Sequence, residues 1–170
     1  MILLGLGSNL SSSFGDRCKN IDLAISYLES YEIMVVKRSS FYESLSYPNK
    51  KNPKFINAVI EVSTNLGPVD LAPVLIFIEE KLERTRKHKN DPRTCDIDII
   101  DFNSKIINFK YQNLDFTVPH KKLLYRNFVL FPLKEILPEW IHPKTNDSIN
   151  MLIDQLSNED KNSILKIEKS

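Results

Sequence analysis

Residues 55–62 form a run in which two alternating sets of side chains differ in chemistry. The first set is wholly apolar and consists of Ile56, Ala58, Ile60 and Val62. The second set is mixed and consists of Phe55, Asn57, Val59 and Glu61. Because successive side chains of a β-strand point to opposite faces of a sheet, this pattern predicts one face in a core and the other open to polar contacts.

Residues 96–102 repeat this two-sided pattern. The acidic pair Asp96 and Asp98 alternates with isoleucines, so both carboxylates are expected on one face of the strand. Asp101 has the opposite parity and is the weaker candidate for a metal ligand. The two runs therefore predict a sheet with a core side and a functional side.

The other hydrophobic patterns place two helices and two further strands in a definite order. Strands are expected at 2–8 and 33–42. The first helix is marked by Phe14, Cys18, Ile21, Ile25 and Leu28, with Ser12 and Ser13 as candidate caps, and the second, beginning near Asp70, by Leu71, Leu75, Ile78 and Leu82. The order βαββαβ predicts an α+β, ferredoxin-like fold: an antiparallel sheet with helices on one face, the active site on the other, and C-terminal extensions.

Composition limits the class of protein. The 170 residues are 42% hydrophobic and 26% charged, which is typical of a globular chain, and we expect residues 1–170 to form one domain. A formal net charge of +1 argues against a surface built throughout for nucleic acid. Neither a basic leader nor a long apolar stretch is present, so we expect a cytoplasmic protein without a membrane segment.

The acidic pair lies directly after a strongly basic stretch. Residues 84–93 read Arg-Thr-Arg-Lys-His-Lys-Asn-Asp-Pro-Arg. Two neighbouring carboxylates repel each other unless a cation lies between them, and Mg²⁺ commonly binds one or two carboxylates together with substrate phosphates. One guanidinium group can donate two parallel hydrogen bonds to the oxygens of a phosphate. Each feature alone could be solvated surface, but together they indicate a site for a metal-bound nucleotide triphosphate.

A second group of residues suits a flat ligand. Gly5 and Gly7 share one face of the first strand and leave space above the sheet. Phe55 and Phe128 are candidates for stacking on a ring, and Asn57 offers an acceptor and two donors to a heterocycle edge. For a single Phe, a place in the core is the commoner role.

Several short motifs occur in a fixed order. They are Gly-Ser-Asn at 7–9, Phe-x-Asn at 55–57, Pro-Arg-Thr-x-Asp-x-Asp-Ile at 92–99, Val-Pro-His at 118–120 and Arg-x-Phe-Val-Leu-x-Pro-Leu at 126–133. With this order and spacing, nearly the whole chain resembles the hydroxymethyldihydropterin pyrophosphokinase family.

The resemblance implies diphosphate transfer from ATP to the hydroxymethyl group of 6-hydroxymethyl-7,8-dihydropterin on the route to folate, with AMP as the second product and two magnesium ions as cofactors. The implied magnesium ligands are Asp96 and Asp98, and the implied catalytic set adds Arg84, Arg86 and Arg93. The implied ATP contacts are Glu79, Lys87, Ile99, Thr117, His120 and Arg126. The implied pterin contacts are Gly7, Ser44, Leu45, Tyr47, Phe55, Asn57 and Phe128.

The sequence departs from the family pattern at several positions. Glu83 stands where the family usually has Gly, and residues 89–91 lack a Trp often found in the basic loop, which is also about one residue short. Lys121 replaces an aromatic residue, Asp115 a basic residue, and Leu45 the usual Pro. We expect loop closure and substrate affinity to be affected.

An RNA-binding module on a similar four-stranded sheet is the alternative, with Phe55 stacking on bases and residues 84–93 contacting phosphates. Asp96 and Asp98 argue against it, because they would repel a phosphate backbone. We expect a monomer whose partners are ATP and a reduced pterin, without nucleic acid or membrane.

Overall fold

Six strands form one antiparallel sheet in the structure, a computed structural model that describes residues 1–168. The first half of the chain contains β1 (Ile2–Ser8), α1 (Arg17–Ser30), β2 (Met34–Arg38), β3 (Phe41–Ser44), β4 (Phe55–Ser63), α2 (Pro68–Lys81) and β5 (Asp96–Phe102). The second half contains β6 (Ile107–Tyr111), β7 (Leu114–Val118), a 3-10 turn (Leu123–Tyr125), α3 (Asn127–Ile136), α4 (Ile149–Asp154), α5 (Asn158–Asn162) and β8 (Leu165–Ile167).

The strand order is β5-β1-β4-β3-β8, with β2 also paired to β4. This order confirms the predicted antiparallel α+β fold. The single strand predicted at 33–42 is in fact two strands that pair with opposite ends of β4, with Met34 opposite Ser63 and Tyr42 opposite Asn57. The interruption lies at Ser39, which bonds both the N–H and the C=O of Val59. β6 and β7 form a separate hairpin.

One face of the sheet packs against α1 and α2, as predicted. The apolar set of β4 lies in this core, and none of its four side chains is more than 3% exposed. Leu28 of α1 and Leu75 and Ile78 of α2 complete the layer. Because each buried aliphatic side chain contributes roughly 1.5–3 kcal/mol, this layer is a main source of stability.

The opposite face is half covered, which corrects the expectation that helices lie on one face only. A second hydrophobic cluster joins Leu3 and Val59 of the sheet to Leu133 of α3 and Leu152 of α4. The C-terminal segments therefore bury one end of this face, and the other end stays open as a cavity. No helix within residues 1–168 has the length and apolar character needed to cross a bilayer.

Helix starts differ from the sequence predictions. Asp16 caps α1 by accepting from Lys19 N at 2.8 Å, so Ser12 and Ser13 are not the caps. Phe14 lies outside the helix and is 49% exposed. α2 begins at Pro68, two residues before Asp70. Proline is tolerated at this place because the N–H groups of a first helical turn have no intrahelical partner.

A β-bulge in β5 reverses the expected parity of Asp101. Leu4 pairs with Ile99 while the preceding Leu3 pairs with Asp101, so Ile100 is the extra residue. Asp101 therefore lies on the same face as the acidic pair. It is fully buried there and accepts hydrogen bonds from Trp140 Nε1 at 2.8 Å and Ser104 N at 2.9 Å. Asp101 therefore joins the sheet to the second hydrophobic cluster.

Candidate active site

A cavity of about 660 Å³ occupies the open end of the second sheet face. Its floor is formed by β1, β4 and β5, and its walls by the β3–β4 loop (residues 45–54), the basic loop (residues 84–93) and the start of α3. The predicted residues that line it are Gly7, Leu45, Tyr47, Phe55, Asn57, Arg93, Asp96, Asp98, His120, Arg126 and Phe128. Residues predicted for different ligands therefore share one space.

Gly7 lies in the middle of the floor, because β1 pairs with β4 on one side and β5 on the other. Its backbone is opposite Asn57 in one ladder and Asp96 in the other. A Cβ at this position would lie 3.4 Å from Phe55 Cδ1 and 3.5 Å from Asn57 Oδ1. The absence of a side chain thus keeps the floor flat between an aromatic ring and an amide.

Asn57 is oriented by hydrogen bonds within the protein. Its side-chain Nδ2 donates to Tyr42 O at 3.1 Å and to Ser44 Oγ at 2.9 Å. Both N–H groups of the amide are thus hydrogen-bonded within the protein, and the amide presents its Oδ1 acceptor toward Gly7 and the cavity. Ser44 does not line the cavity itself and acts on it through Asn57.

Two aromatic rings that line the cavity are each covered by an arginine. The Arg93 guanidinium carbon lies 5.1 Å from the centre of the Phe55 ring, and that of Arg126 lies 5.2 Å from the centre of the Phe128 ring. These contacts are within the range of cation–π interactions. The cavity therefore combines aromatic faces with positive charge.

Asp96 is held by two arginines. Arg84 Nη1 donates to its Oδ1 at 2.8 Å, and Arg93 Nη2 donates to its Oδ2 at 3.0 Å. Burial alone would raise the pKa of Asp96, but the charges of Arg93 and Arg84 and their hydrogen bonds outweigh it and lower the pKa to about 2. Asp96 is therefore ionised at neutral pH.

Asp98, two residues along the same face, has different surroundings. Burial raises its pKa, and the charge of Asp96 raises it further, whereas His120 and Arg126 act in the opposite direction. The His120 ring lies beside it, with Nε2 4.0 Å from Asp98 Oδ2. The acidic pair thus carries a repulsion that a bound cation would relieve.

Glu79 of α2 anchors the start of the basic loop behind the acidic pair. Its carboxylate accepts from Ile97 N at 2.8 Å, lies 3.0 Å from Arg84 Nη1 and also pairs with Arg86. Burial raises the pKa of Glu79 above its usual range, although Arg84 acts in the opposite direction. Contacts with the buried Glu79 side chain therefore help to set the position of Arg84 relative to Asp96.

Glu83 adopts a backbone conformation that glycine favours, with φ of +69°. This geometry gives a physical reason for the glycine usual at this position. The Glu83 carboxylate accepts hydrogen bonds from the Ser13 N–H at 3.0 Å and from the Ser13 hydroxyl. These bonds connect the basic loop to the β1–α1 connection.

The remaining predicted residues lie outside the cavity lining, and their roles stay predictions. They are Ser44, Glu79, Arg84, Arg86, Lys87, Ile99 and Thr117. The Ile99 side chain lies in the core beside the helices, so only its backbone is available to a ligand. Thr117 lies on β7, opposite Asn108 in the hairpin.

Sequence reasoning missed several residues that line or support the cavity. The polar ones in the lining are Asn90, Lys122, Tyr125, Asn127 and Asp160. Asn9 supports it from below: its Oδ1 accepts from Arg93 N at 2.7 Å, and its Nδ2 donates to Pro53 O at 3.1 Å. The Gly-Ser-Asn motif was a signal for Asn9, but no local pattern marks Asp160.

Comparison with known proteins agrees with this geometry. Residues 3–138 match the model of the family described as 7,8-dihydro-6-hydroxymethylpterin-pyrophosphokinase (HPPK). The chain is 34% identical over 155 residues to a 2-amino-4-hydroxy-6-hydroxymethyldihydropteridine pyrophosphokinase of Synechocystis sp., covering 91% of this chain and 75% of that protein. It is 36% identical over 142 residues to the protein of the same name in Aquifex aeolicus, covering 84% and 83%.

Longer proteins share the same region. The folic acid synthesis protein fol1 of Pneumocystis carinii is 37% identical over 164 residues, which are 96% of this chain and only 21% of that protein. A crystal structure of Plasmodium falciparum HPPK-DHPS superposes with a TM-score of 0.78 at 16% identity, over 99% of this chain and 47% of that one, and supports the fold. From the family match over residues 3–138, the chain belongs to the 7,8-dihydro-6-hydroxymethylpterin-pyrophosphokinase family, the ATP-using pterin pyrophosphokinases of folate biosynthesis.

Proposed function

We propose that this chain transfers the terminal diphosphate of ATP to the hydroxymethyl oxygen of 6-hydroxymethyl-7,8-dihydropterin. A bond forms between that oxygen and the β-phosphorus, the bond from the β-phosphorus to the α,β-bridging oxygen breaks, AMP leaves with that oxygen, and the hydroxyl proton is released to solvent. The single observation that carries the proposal is that one cavity joins a flat, aromatic-walled slot to an acidic pair flanked by arginines.

The slot suits a bicyclic ring. Gly7 gives a flat floor, Phe55 and Phe128 provide ring faces, and Asn57 Oδ1 accepts from an N–H at the edge of the heterocycle. A buried acceptor left without a donor is costly, so Asn57 discriminates against flat ligands that lack an N–H in that place. Leu45 and Tyr47 close the side formed by the β3–β4 loop.

The acidic pair fits magnesium. Within residues 1–168 no cluster of three or more His, Cys, Asp or Glu side chains is placed to hold a metal, so the protein offers two carboxylates and leaves the other positions to phosphate and water. Such a ligand set is usual for Mg²⁺ at phosphate sites. When bound, the metal would neutralise negative charge on the phosphates. We propose Asp96 and Asp98 as the ligands of two ions.

Arg93, Arg126 and His120 orient the substrates and stabilise negative charge on the phosphates. Arg93 lies between the Phe55 ring and Asp96, so one side chain links the pterin slot to the phosphate site. Arg126 and His120 line the same cavity and favour the ionised form of Asp98. Transfer of this kind depends on positioning and charge stabilisation and needs no covalent nucleophile from the protein. We propose a monomer as the active unit, because one chain is sufficient to supply both the slot and the acidic pair.

The RNA-binding alternative has a specific weakness in this geometry. Asp98 lies on the open face with its pKa raised, and a phosphate backbone on that face would add further negative charge beside the pair. Phosphate binding on this face therefore requires a bound cation, which magnesium ATP supplies.

The direct test is incubation of the protein with ATP, magnesium and reduced hydroxymethylpterin, followed by separation of nucleotides and pterins. AMP and pterin diphosphate should form in equal amounts, and neither should form with chelator or without pterin. Formation of ADP, or of AMP without pterin diphosphate, would overturn the proposal.

A further inference from the structure

The C-terminal helix α5 reaches the cavity from outside the region that defines the family. The family model matches residues 3–138, whereas α5 spans Asn158–Asn162. Asp160, in the middle of α5, nevertheless lines the cavity together with Tyr47 of the β3–β4 loop and Asn127 of α3. A residue that the family pattern does not include thus belongs to the wall of the candidate active site.

Asp160 joins two walls of the cavity. Tyr47 Oη donates to the Asp160 side-chain Oδ1 at 3.1 Å, which links α5 to the β3–β4 loop. The buried Asn127 donates through Nδ2 to the Asp160 backbone O at 2.7 Å, which links α5 to the start of α3. Asn127 precedes Phe128, so the two contacts connect the loop to the wall that carries an aromatic face.

α5 is held at both ends. Ser157 caps its start by accepting from Asp160 N at 3.1 Å. After α5 the chain returns to the sheet as β8, where Leu165 is opposite Glu43 of β3. This attachment gives the Asp160 carboxylate a defined position from which to bind the Tyr47 hydroxyl.

We propose that Asp160 is a positioning residue for the pterin, which holds the β3–β4 loop against the slot through Tyr47. This inference rests on the proposed function, because the slot is taken to bind the pterin. A loop held in its binding position has less conformational freedom to lose when ligand binds, and this raises affinity. The effect concerns the pterin more than ATP, because Tyr47 lies on the loop side of the cavity and the acidic pair on the strand side.

The test compares Asp160→Ala, Tyr47→Phe and the double variant. Dissociation constants for reduced hydroxymethylpterin, with a non-hydrolysable ATP analogue and magnesium present, are measured by calorimetry. Each single variant should raise the pterin dissociation constant about threefold to tenfold, in line with one net hydrogen bond. The double variant should be no weaker than the weaker single variant, because both changes remove the same contact.

Two controls separate positioning from general support. Asp160→Asn keeps an acceptor for the Tyr47 hydroxyl and should stay within about twofold of the unmodified protein. Glu159→Gln breaks the exposed pair with Lys50, which joins the same helix and loop, and should have almost no effect. The ATP affinity and thermal midpoint of all variants should match those of the unmodified protein.

Unchanged pterin affinity in both single variants, or fully additive losses in the double variant, would overturn the inference. Equal losses for pterin and ATP with a lowered thermal midpoint would make Asp160 a structural brace and would overturn it as well. Failure of the unmodified protein to convert the pterin would instead refute the proposed function, so the two failures are distinguishable.

Discussion

The Arg93 guanidinium and the Asp96 carboxylate lie three residues apart in the chain and 3.0 Å apart in space, where the aromatic slot meets the acidic pair. Arg84 pairs with the other oxygen of the same carboxylate at 2.8 Å. Asp98 has a more distant partner, His120, at 4.0 Å. Two carboxylates that are equivalent in the sequence therefore differ in how their charges are balanced.

This difference separates Asp96→Ala from Asp98→Ala in stability. Both should abolish turnover, because each removes a proposed metal ligand. From the sequence alone, either change would relieve a repulsion. In the structure, Asp96→Ala removes the carboxylate partner of Arg93 and leaves Arg84 with Glu79, so it should lower the free energy of unfolding by on the order of 2–4 kcal/mol. Asp98→Ala should leave it unchanged or slightly higher, as urea unfolding without metal can measure. Equal stability of the two variants would contradict this assignment.

Gly7→Ala should weaken pterin binding selectively. The added methyl group would lie 3.4 Å from the Phe55 ring, on the floor where the pterin is proposed to rest. We expect at least a roughly tenfold rise in the pterin dissociation constant, because a displaced pterin ring loses both its stacking and its hydrogen bond to Asn57. ATP affinity should stay within about twofold. Gly67→Ala is the matched control, since a Cβ there meets nothing within 4 Å.

Arg93→Ala should lower kcat more than it lowers ATP affinity. A donor aimed at the transferred phosphates acts most strongly in the transition state, and loss of one such donor typically costs about a hundredfold to a thousandfold in rate. Arg86→Ala should act in the same direction, although Arg86 pairs with Glu79 and lies outside the cavity lining.

Lys89→Ala serves as the control within the same loop, because Lys89 is exposed and should have little effect. Single-turnover rates and equilibrium nucleotide binding distinguish the variants. If Arg93→Ala and Lys89→Ala behave alike, the loop only attracts anions.

His142 should make stability depend on pH below neutrality. Its Nδ1 accepts from the N–H groups of Lys144 and Thr145, each at 3.2 Å, so protonation of this nitrogen breaks both bonds. Burial lowers the pKa of His142 from its usual 6.5, with Asp101 acting in the opposite direction. The unfolded chain therefore takes up the proton first, and the stabilising contribution is present above about pH 6.5 and is lost as the pH falls.

Urea unfolding at pH 7.5 and 5.5 should show a smaller loss of stability for His142→Asn than for the unmodified protein. Asparagine keeps an acceptor near the same place but does not titrate. Groups elsewhere that titrate in this range affect both proteins equally, so the difference isolates His142. Identical pH profiles would show that His142 contributes nothing to acid sensitivity.

The sequence by itself predicted the antiparallel character of the sheet, its helix-covered face and half of the cavity lining. Strand alternation is a local property, so the pattern at residues 55–62 was enough to place Phe55 and Asn57 opposite the core, as found. The order of the elements likewise predicted the antiparallel arrangement. The family motifs named residues on both walls, including Phe128 and Arg126.

The tertiary structure alone decided how those residues are supported. The bulge at Ile100 moved Asp101 to the other face, where it meets Trp140 about forty positions along the chain. Asp160 reached the cavity because β8 returns the C-terminal segment to the sheet beside β3. Such contacts depend on which distant segments pack together, and no local period or spacing encodes that choice, because its free energy comes from burial and pairing across the whole fold.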